Sequence, residues 1–181
     1  MKNQFWIRGE VTAIILNSPK NGRMETLIST SKLSLAKEYQ GTWYANWSPI
    51  TKSFYCAGNI RKPNGKSSIV HLHRWITECP KGKQVDHFNN KTLDNRDDNL
   101  RIASRSENQQ NRSGLQKNCT SGARGVSYDK QSGKWVATIR LKGKTKTIGR
   151  FKSLTAADKA AKTARARHMP FSKEAAQNKQ A

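Results

Sequence analysis

The stretch from Val85 to Ile102, VDHFNNKTLDNRDDNLRI, places a dense run of Asp and Asn between two short apolar segments. Asp and Asn favour tight turns because their side chains hydrogen-bond to the backbone nearby. The residues from Asn99 to Ala103 then alternate polar and apolar, which predicts a second strand with Leu100 and Ile102 turned inward. We therefore expect a strand, a turn and a second strand here.

A helix is expected directly after the second strand. Ser104 and Glu107 have the spacing of a capping box, in which each side chain satisfies a backbone N–H at the start of a helix. Asn108 falls in the first turn of this helix, and Asn111 and Arg112 follow three and four residues later, on the same face. The complete predicted unit is strand, turn, strand and helix.

Asp86 and His87 are adjacent at the end of the first apolar run. Adjacent residues on a strand project to opposite faces, so one side chain can hold a metal ion while the other holds a water. Hydrolysis of a phosphodiester needs an attacking oxygen on one side of phosphorus and stabilisation of the departing oxygen on the other. An Asp-His step on a strand can supply both.

This segment resembles the ββα-metal core of the HNH nuclease family, and the phage-type homing endonucleases are the nearest branch. The resemblance covers residues 69–113 and rests on Asp86-His87, Leu93-Asp-Asn-Arg96, Asn99-Leu-Arg101 and Glu107-Asn-Gln-Gln-Asn111. It implies that His87 is the general base that deprotonates the attacking water, and that Asp86 and Asn108 hold one divalent ion. It also implies that Asn99 supports the base through a hydrogen bond and so fixes its tautomer.

The expected ion follows from the ligand types. Asn108 stands where the family name has a His, so the pair offers a carboxylate and a carboxamide oxygen, which suit Mg²⁺ or Mn²⁺. His71 and His73 are two residues apart and would face one side of a strand, but with Cys79 they lack the fourth ligand of a structural zinc site. By resemblance, His73 buttresses the core near the active site.

The charge of the chain points to a polyanionic partner. Thirty-four Lys and Arg oppose twelve Asp and Glu, for a net charge of +22. Apolar residues make up only 34% of the chain, which favours small modules over one large core. The chain lacks an apolar block typical of a signal peptide or membrane span, so we expect a cytoplasmic protein of a bacterial or phage-infected cell, without membrane attachment. Its three cysteines are isolated in the sequence, so we expect no disulfides.

The C-terminal part predicts three strands and a helix. The strands are expected at 121–128, 134–141 and 145–151, and an Ala-rich helix at 154–168 with Ser153 or Thr155 as its cap. Three antiparallel strands packed on one helix leave one sheet face free to enter a DNA groove. The basic residues predicted for that face are Arg124, Arg140, Lys142, Lys144, Lys146 and Arg150.

This module is similar to the plant APETALA-two/ethylene-response-factor DNA-binding domain over residues 119–168. The similarity rests on Arg124-Gly-Val, on Lys134-Trp-Val-Ala-Thr-Ile-Arg140 and on Ile148-Gly-Arg-Phe151. The same domain follows HNH cores in phage and bacterial mobile endonucleases. The resemblance implies that Arg124, Trp135 and Arg140 contact the DNA groove.

The sequence as a whole predicts an α+β fold in five segments. These are a small α+β lead-in (1–68) whose Trp6, Trp43 and Trp47 are expected in its core, an HNH nuclease core (69–113), a linker (114–120), a three-stranded sheet plus helix (121–170) and a flexible tail (171–181). The predicted function is a homing-type endonuclease that uses one Mg²⁺ or Mn²⁺ to cut double-stranded DNA, without a small-molecule cofactor and as a monomer. The alternatives are a DNA-binding transcription regulator with an inactive nuclease core and an RNA-processing protein.

Overall fold

A computed structural model describes residues 1–112, 114–115 and 118–177. The fold is α+β, with several small sheets and few helices. It divides into two compact units, Met1–Arg105 and Ser106–Ala181, whereas the sequence placed the linker at 114–120. Residues 116 and 117 of that linker and 178–181 of the expected tail lie outside the described residues.

The first unit contains most of the strands. They are β1 (Phe5–Arg8), β2 (Val11–Ser18), β3 (Gly22–Ser29), β4 (Tyr44–Ser48), β5 (Ser53–Arg61), β6 (Ser67–His71), β7 (Gln84–His87), β8 (Asp94–Asn95) and β9 (Leu100–Ala103). Its helices are α1 (Leu33–Glu38), preceded by a 3₁₀ turn at Thr30–Lys32, and α2 (Leu72–Ile76). A further helix, α3 (Arg105–Gln110), begins at the last residue of this unit.

Three sheets make up the first unit. One has the strand order β1-β2-β3-β8, in which only the β3–β8 pairing is parallel. The second is the meander β4-β5-β6, and the third is the antiparallel pair β7-β9. The turn after β7 therefore supplies a strand to the first sheet before the chain returns as β9. This connection ties the predicted strand, turn and strand unit to the N-terminal sheet.

The main core of the first unit contains Trp43, which is fully buried with Ile14, Leu16 and Ile28 around it. Residues 1–68 contain both strands and a helix, as expected for the α+β lead-in, and Trp43 lies in the core as predicted. Trp6 and Trp47 are 47% and 50% exposed, so their expected core positions were wrong. Each lies near one end of its strand, where its side chain is only partly covered.

Two further expectations in this unit need correction. His71 ends β6, but His73 lies in α2, so the two imidazoles do not share one side of a strand. Leu100 packs against the core as expected, whereas Ile102 is 44% exposed. β9 belongs to a sheet of only two strands, and the face that carries Leu100 and Ile102 is covered at Leu100 but not at Ile102.

The second unit contains β10 (Val126–Asp129), β11 (Lys134–Leu141), β12 (Lys144–Phe151), α4 (Leu154–His168) and α5 (Lys173–Gln177). The three strands form one antiparallel sheet in sequence order, and Ala137 of β11 packs on Ala157 and Ala161 of α4. Ser153 caps α4 by accepting a hydrogen bond from the N–H of Ala156. These elements match the predicted module, except that β10 begins at Val126 rather than at residue 121.

Gly125 shows why the chain before β10 is irregular. Its φ of +78° lies in the left-handed region, and a Cβ built on it would stand 2.6 Å from the carbonyl oxygen of Thr138.

Residues 171–177 differ from the expected flexible tail. Ser172 and Ala175 are buried, and α5 begins at Lys173. Among the described residues, no helix is long and apolar enough to cross a membrane.

Candidate active site

Asp86 and Arg101 lie directly opposite each other on β7 and β9. Opposed residues in an antiparallel pair project to the same face, and here the Nε and Nη2 atoms of Arg101 each lie 2.7 Å from Oδ2 of Asp86. The Asp86 side chain is nearly buried, and the guanidinium of Arg101 also stands 5.1 Å from the ring of Phe88. A buried carboxylate therefore has a fixed cationic partner at this position.

His87 projects to the other face of β7 and is 6% exposed. Its Nε2 lies 3.0 Å from Oδ1 of Asn95, in a buried contact between the strand and the turn that follows it. Burial lowers the pKa of His87, although the hydrogen bond to Asn95 and the charges of Asp86 and Asp94 oppose this effect. The imidazole is consequently held neutral at neutral pH.

Asn99 does not make the hydrogen bond that the resemblance implied. Its Oδ1 accepts from the backbone N–H of Asn89 at 2.8 Å, and its Nδ2 donates to the carbonyl of Asp94 at 2.6 Å. The ring contact of His87 is made by Asn95 instead. Asn99 is nearly buried, and both of its bonds reach backbone atoms of the turn. Its role in the structure is to hold that turn closed.

The other polar residues of the turn bind each other. Arg96 donates two hydrogen bonds to the carboxylate of Asp94, from Nε to Oδ1 at 2.7 Å and from Nη2 to Oδ2 at 2.8 Å. Asp94 also accepts a hydrogen bond from Nδ2 of Asn89 at 3.0 Å. The hydrogen bonds from Arg96 hold the pKa of Asp94 below its usual value. The turn therefore gathers Asp and Asn because a tightly closed segment with few apolar residues must be held by side-chain hydrogen bonds.

His87 belongs to a cluster of three imidazoles and one phenol ring. The ring of His73 lies 5.1 Å from that of His87 and 5.3 Å from that of His71, and the ring of Tyr55 lies about 6 Å from all three. Burial, with the neighbouring His87, lowers the pKa of His73 to about 2. His73 buttresses His87 as a neutral aromatic group, although it comes from a helix.

The predicted metal ligands come from different units. Asp86 belongs to the first unit, and Asn108 belongs to the second, in α3. Within residues 1–112, 114–115 and 118–177, no group of three or more His, Cys, Asp or Glu is arranged to hold a metal. A hard divalent ion with one carboxylate, one carboxamide and its own waters does not need such a group. The donor types at Asp86 and Asn108 fit such an ion, and their pairing stays a prediction.

The register of β11 and β12 separates the basic residues that were expected on one free face. Arg140 is opposite Thr145, and Arg150 is opposite Val136, so both project from the face away from α4. Lys146 is opposite the buried Ile139, and Lys144 is opposite Leu141, which places these two exposed lysines on the helix side. Lys142 lies in the hairpin turn, with a φ of +47°.

Two of the predicted groove contacts are engaged within the second unit. The guanidinium of Arg124 donates to the carbonyls of Gln109, Gln110 and Arg112 at 2.8 to 3.3 Å. Trp135 is half-buried, packs against the core of this unit and lies 5.0 Å from the ring of Tyr128. Arg124 and Trp135 therefore have structural contacts that the sequence did not indicate.

The sequence did not predict the residues that hold the side chains of Asp86 and His87 in place. Arg101 lies in the second predicted strand, but its position opposite Asp86 depends on the register between β7 and β9, which the sequence did not indicate. Asn95 was one of several turn asparagines, with no signal to distinguish it. Thr26, which accepts a hydrogen bond from Asn95 at 2.7 Å, lies in β3 and is far away in the sequence. Its position depends on the β3–β8 pairing, which no local pattern indicates.

Comparison with known proteins agrees with this geometry. Residues 69–110 match the family model described as HNH endonuclease, so this part of the chain is an HNH endonuclease domain, which supports nuclease activity. "Protein 3.8" of Escherichia phage T7 is 34% identical over 82 residues, which span 44% of this chain and 67% of the phage protein. The chain belongs to the same family as this phage protein. No solved structure matches the chain.

Proposed function

We propose that this protein is a metal-dependent HNH endonuclease of the homing or mobile type, which hydrolyses a phosphodiester bond and nicks double-stranded DNA. One observation carries the proposal. Asp86 and His87 are adjacent, project to opposite faces of β7 and are both nearly buried. Each is held by a separate partner, Arg101 for the acid and Asn95 for the imidazole. This arrangement suits an acid that binds a metal and a base that binds a water.

The chemical step follows from the state of His87. Because burial keeps the imidazole neutral, it can accept a proton from a water at neutral pH. The oxygen of that water bonds to phosphorus as the bond from phosphorus to the 3′-oxygen breaks. The products are a 5′-phosphate and a 3′-hydroxyl, and the departing 3′-oxygen takes up a proton from a solvent water. Removal of a positioned general base costs about 10² to 10⁴ in rate.

Asp86 and Asn108 are the proposed ligands of one Mg²⁺ or Mn²⁺. When bound, such an ion supplies stabilisation of the charge that develops on the departing oxygen. Arg101 shares the carboxylate of Asp86, which reduces the negative charge that remains for a cation. We therefore expect weak metal binding by the protein alone and tighter binding when a DNA phosphate is present.

The second unit is proposed to bind the DNA in the manner of an APETALA-two/ethylene-response-factor domain. Support comes from its three-stranded sheet packed on a helix and from Arg140 and Arg150 on the face away from α4. Lys142 in the adjoining turn adds a third cation. Arg side chains can read guanine in the major groove, whereas Lys mainly contacts phosphate.

A DNA-binding regulator with an inactive core is the second candidate. It is favoured by the Asp86–Arg101 pair, because a carboxylate that is already paired with a cation is a poorer metal ligand. Supercoiled plasmid incubated with the purified protein and Mg²⁺ or Mn²⁺ separates the two. The endonuclease converts it to open circles and stops when the metal is chelated. A protein that binds the plasmid but leaves it supercoiled with either metal is the regulator.

A further inference from the structure

A chain of buried hydrogen bonds runs from His87 into the N-terminal sheet. His87 Nε2 lies 3.0 Å from Asn95 Oδ1, Asn95 Nδ2 donates to Thr26 Oγ1 at 2.7 Å, and Thr26 Oγ1 donates to the carbonyl of Leu93 at 2.8 Å. Asn95 and Thr26 are fully buried. The groups in this chain therefore exchange hydrogen bonds with one another rather than with bulk water.

The hydrogens in this series of hydrogen bonds all point the same way, because its last group, a carbonyl oxygen, can only accept a hydrogen bond. The carbonyl of Leu93 has no hydrogen to give, so the hydroxyl of Thr26 uses its one hydrogen there and offers a lone pair to Asn95. The amide nitrogen of Asn95 then faces Thr26, and its oxygen faces His87. An amide oxygen is an acceptor, so the hydrogen between the two side chains belongs to Nε2 of His87.

The reverse orientation of the Asn95 amide makes one hydrogen bond fewer. Its nitrogen would donate to His87 Nε2, and its oxygen would need the hydrogen of the Thr26 hydroxyl. The 2.8 Å contact between Thr26 Oγ1 and the carbonyl of Leu93 would then contain no hydrogen, and two buried oxygens would face each other. The observed distances therefore favour the first orientation.

We infer that Thr26 and Asn95 are positioning residues that hold His87 as the Nε2–H tautomer and so put its lone pair on Nδ1. The fold supports this role because the parallel β3–β8 pairing sets Ile28 beside Asn95 and Leu27 beside Asp94. The N-terminal sheet thereby determines which nitrogen of His87 accepts a proton. That Nδ1 is the base in DNA cleavage rests on the proposed function, whereas the tautomer does not.

The same contact helps after the proton has moved. When Nδ1 takes a proton from the water, the ring becomes a cation that keeps its Nε2–H bond to the Asn95 oxygen, and a hydrogen bond to the charged form stabilises it. Asn95 would therefore assist both before and after proton transfer. A wrong tautomer is costly, since a triad variant that leaves the geometry intact but changes the tautomer loses about 10⁴ in kcat.

The test is ¹⁵N–¹H NMR of the histidine rings in the full chain, without metal or DNA and at a pH where His87 is neutral. The signals of His87 are assigned from a His87→Gln sample. Wild type should show a protonated Nε2 and an unprotonated Nδ1. Thr26→Ser keeps the hydroxyl and should keep this pattern, whereas Thr26→Val removes it, allows the amide to turn over and should shift the population toward Nδ1–H.

A second pair of variants covers the case in which Thr26→Val does not fold. Asn95→Asp keeps an acceptor beside Nε2 and should retain the tautomer, and Asn95→Leu removes the acceptor and should lose it. A wild-type His87 with its hydrogen on Nδ1, or an unchanged pattern in folded Thr26→Val and Asn95→Leu, would overturn the inference.

Plasmid nicking provides the activity readout. Thr26→Val should nick more slowly than Thr26→Ser at equal DNA binding, by the factor by which the fraction of the Nε2–H tautomer falls in the NMR spectra, because the other molecules carry their lone pair on the wrong nitrogen. Equal rates in the two variants would count against the positioning role. If wild type shows the Nε2–H tautomer but does not nick, the proposed function fails and the tautomer assignment stands.

Discussion

Substitution of Asn99 by Ala tests whether this residue holds the turn closed or acts on His87. The side chain satisfies the N–H of Asn89 and the carbonyl of Asp94, at 2.8 and 2.6 Å. Its removal leaves both backbone groups without their partner in a largely buried setting, and each such group costs about 1 to 3 kcal/mol. We expect Asn99→Ala to lower the free energy of unfolding by about 2 to 4 kcal/mol.

The measurement is urea unfolding followed by tryptophan fluorescence, since Trp43 is buried in the core of the same unit. Asn64→Ala is the matched control, because Asn64 also accepts a backbone N–H but is exposed, and it should change the stability by less than about 0.5 kcal/mol. Folded Asn99→Ala keeps the contact between His87 and Asn95, so it should lose less nicking rate than His87→Ala. An unchanged stability together with abolished nicking would refute the structural role.

Three other predictions follow from buried charge and from the face that each basic residue occupies. His71, His73 and His87 have lowered pKa values, so the unfolded chain takes up protons below about pH 6.5 that the native protein does not, and stability should fall as the pH falls from about 6.5 to about 5. His73, whose pKa is lowered to about 2, should account for about 2 kcal/mol of that loss, so urea titrations should show a shallower loss for His73→Gln. Glu174→Gln leaves the buried Arg165, which binds Glu174 at 2.6 Å, without its counter-charge and should cost about 3 kcal/mol in urea unfolding followed by the fluorescence of Trp135, which packs on the core of this unit. Asp158→Asn, at an exposed pair, should cost under about 1 kcal/mol. Charge reversal of Arg140 and Arg150 should reduce the slope of log binding constant against log salt concentration by about 2, since each phosphate contact contributes about 0.9. Charge reversal of Lys144 and Lys146, on the other face of the sheet, should change this slope less, and equal effects would contradict the assignment of the two faces.

Local patterns in the sequence were enough to predict much of this fold. The alternation from Lys134 to Leu141 gave β11 with its bounds, and the Ala-rich segment with Ser153 before it gave α4. The Asp-His step, the second strand and the helix after it were also predicted. These features are visible because strand alternation, helix caps and turn residues act over a few residues.

What the sequence could not predict depends on contacts between distant segments. The β3–β8 pairing brings Thr26 to Asn95 across most of the first unit, and this pairing decides the partner of His87. Lys144 and Lys146 were expected beside Arg140, but Leu141 pairs with Lys144 across the two-residue turn, which puts both lysines on the helix side. The register shift between Ala137 and Thr138 then places Arg150 on the opposite face. The contacts of Arg124 with three carbonyls likewise depend on how the chain before β10 folds.

The most direct test of the account is the rate at which His87→Ala nicks supercoiled plasmid with Mg²⁺ or Mn²⁺. His168→Ala serves as the matched control, because His168 is exposed at the end of α4. With His87 as the general base, His87→Ala should bind the plasmid as wild type does and nick it about 10² to 10⁴ times more slowly, while His168→Ala nicks at the wild-type rate. A folded His87→Ala protein that nicks as fast as wild type would show that another group activates the water.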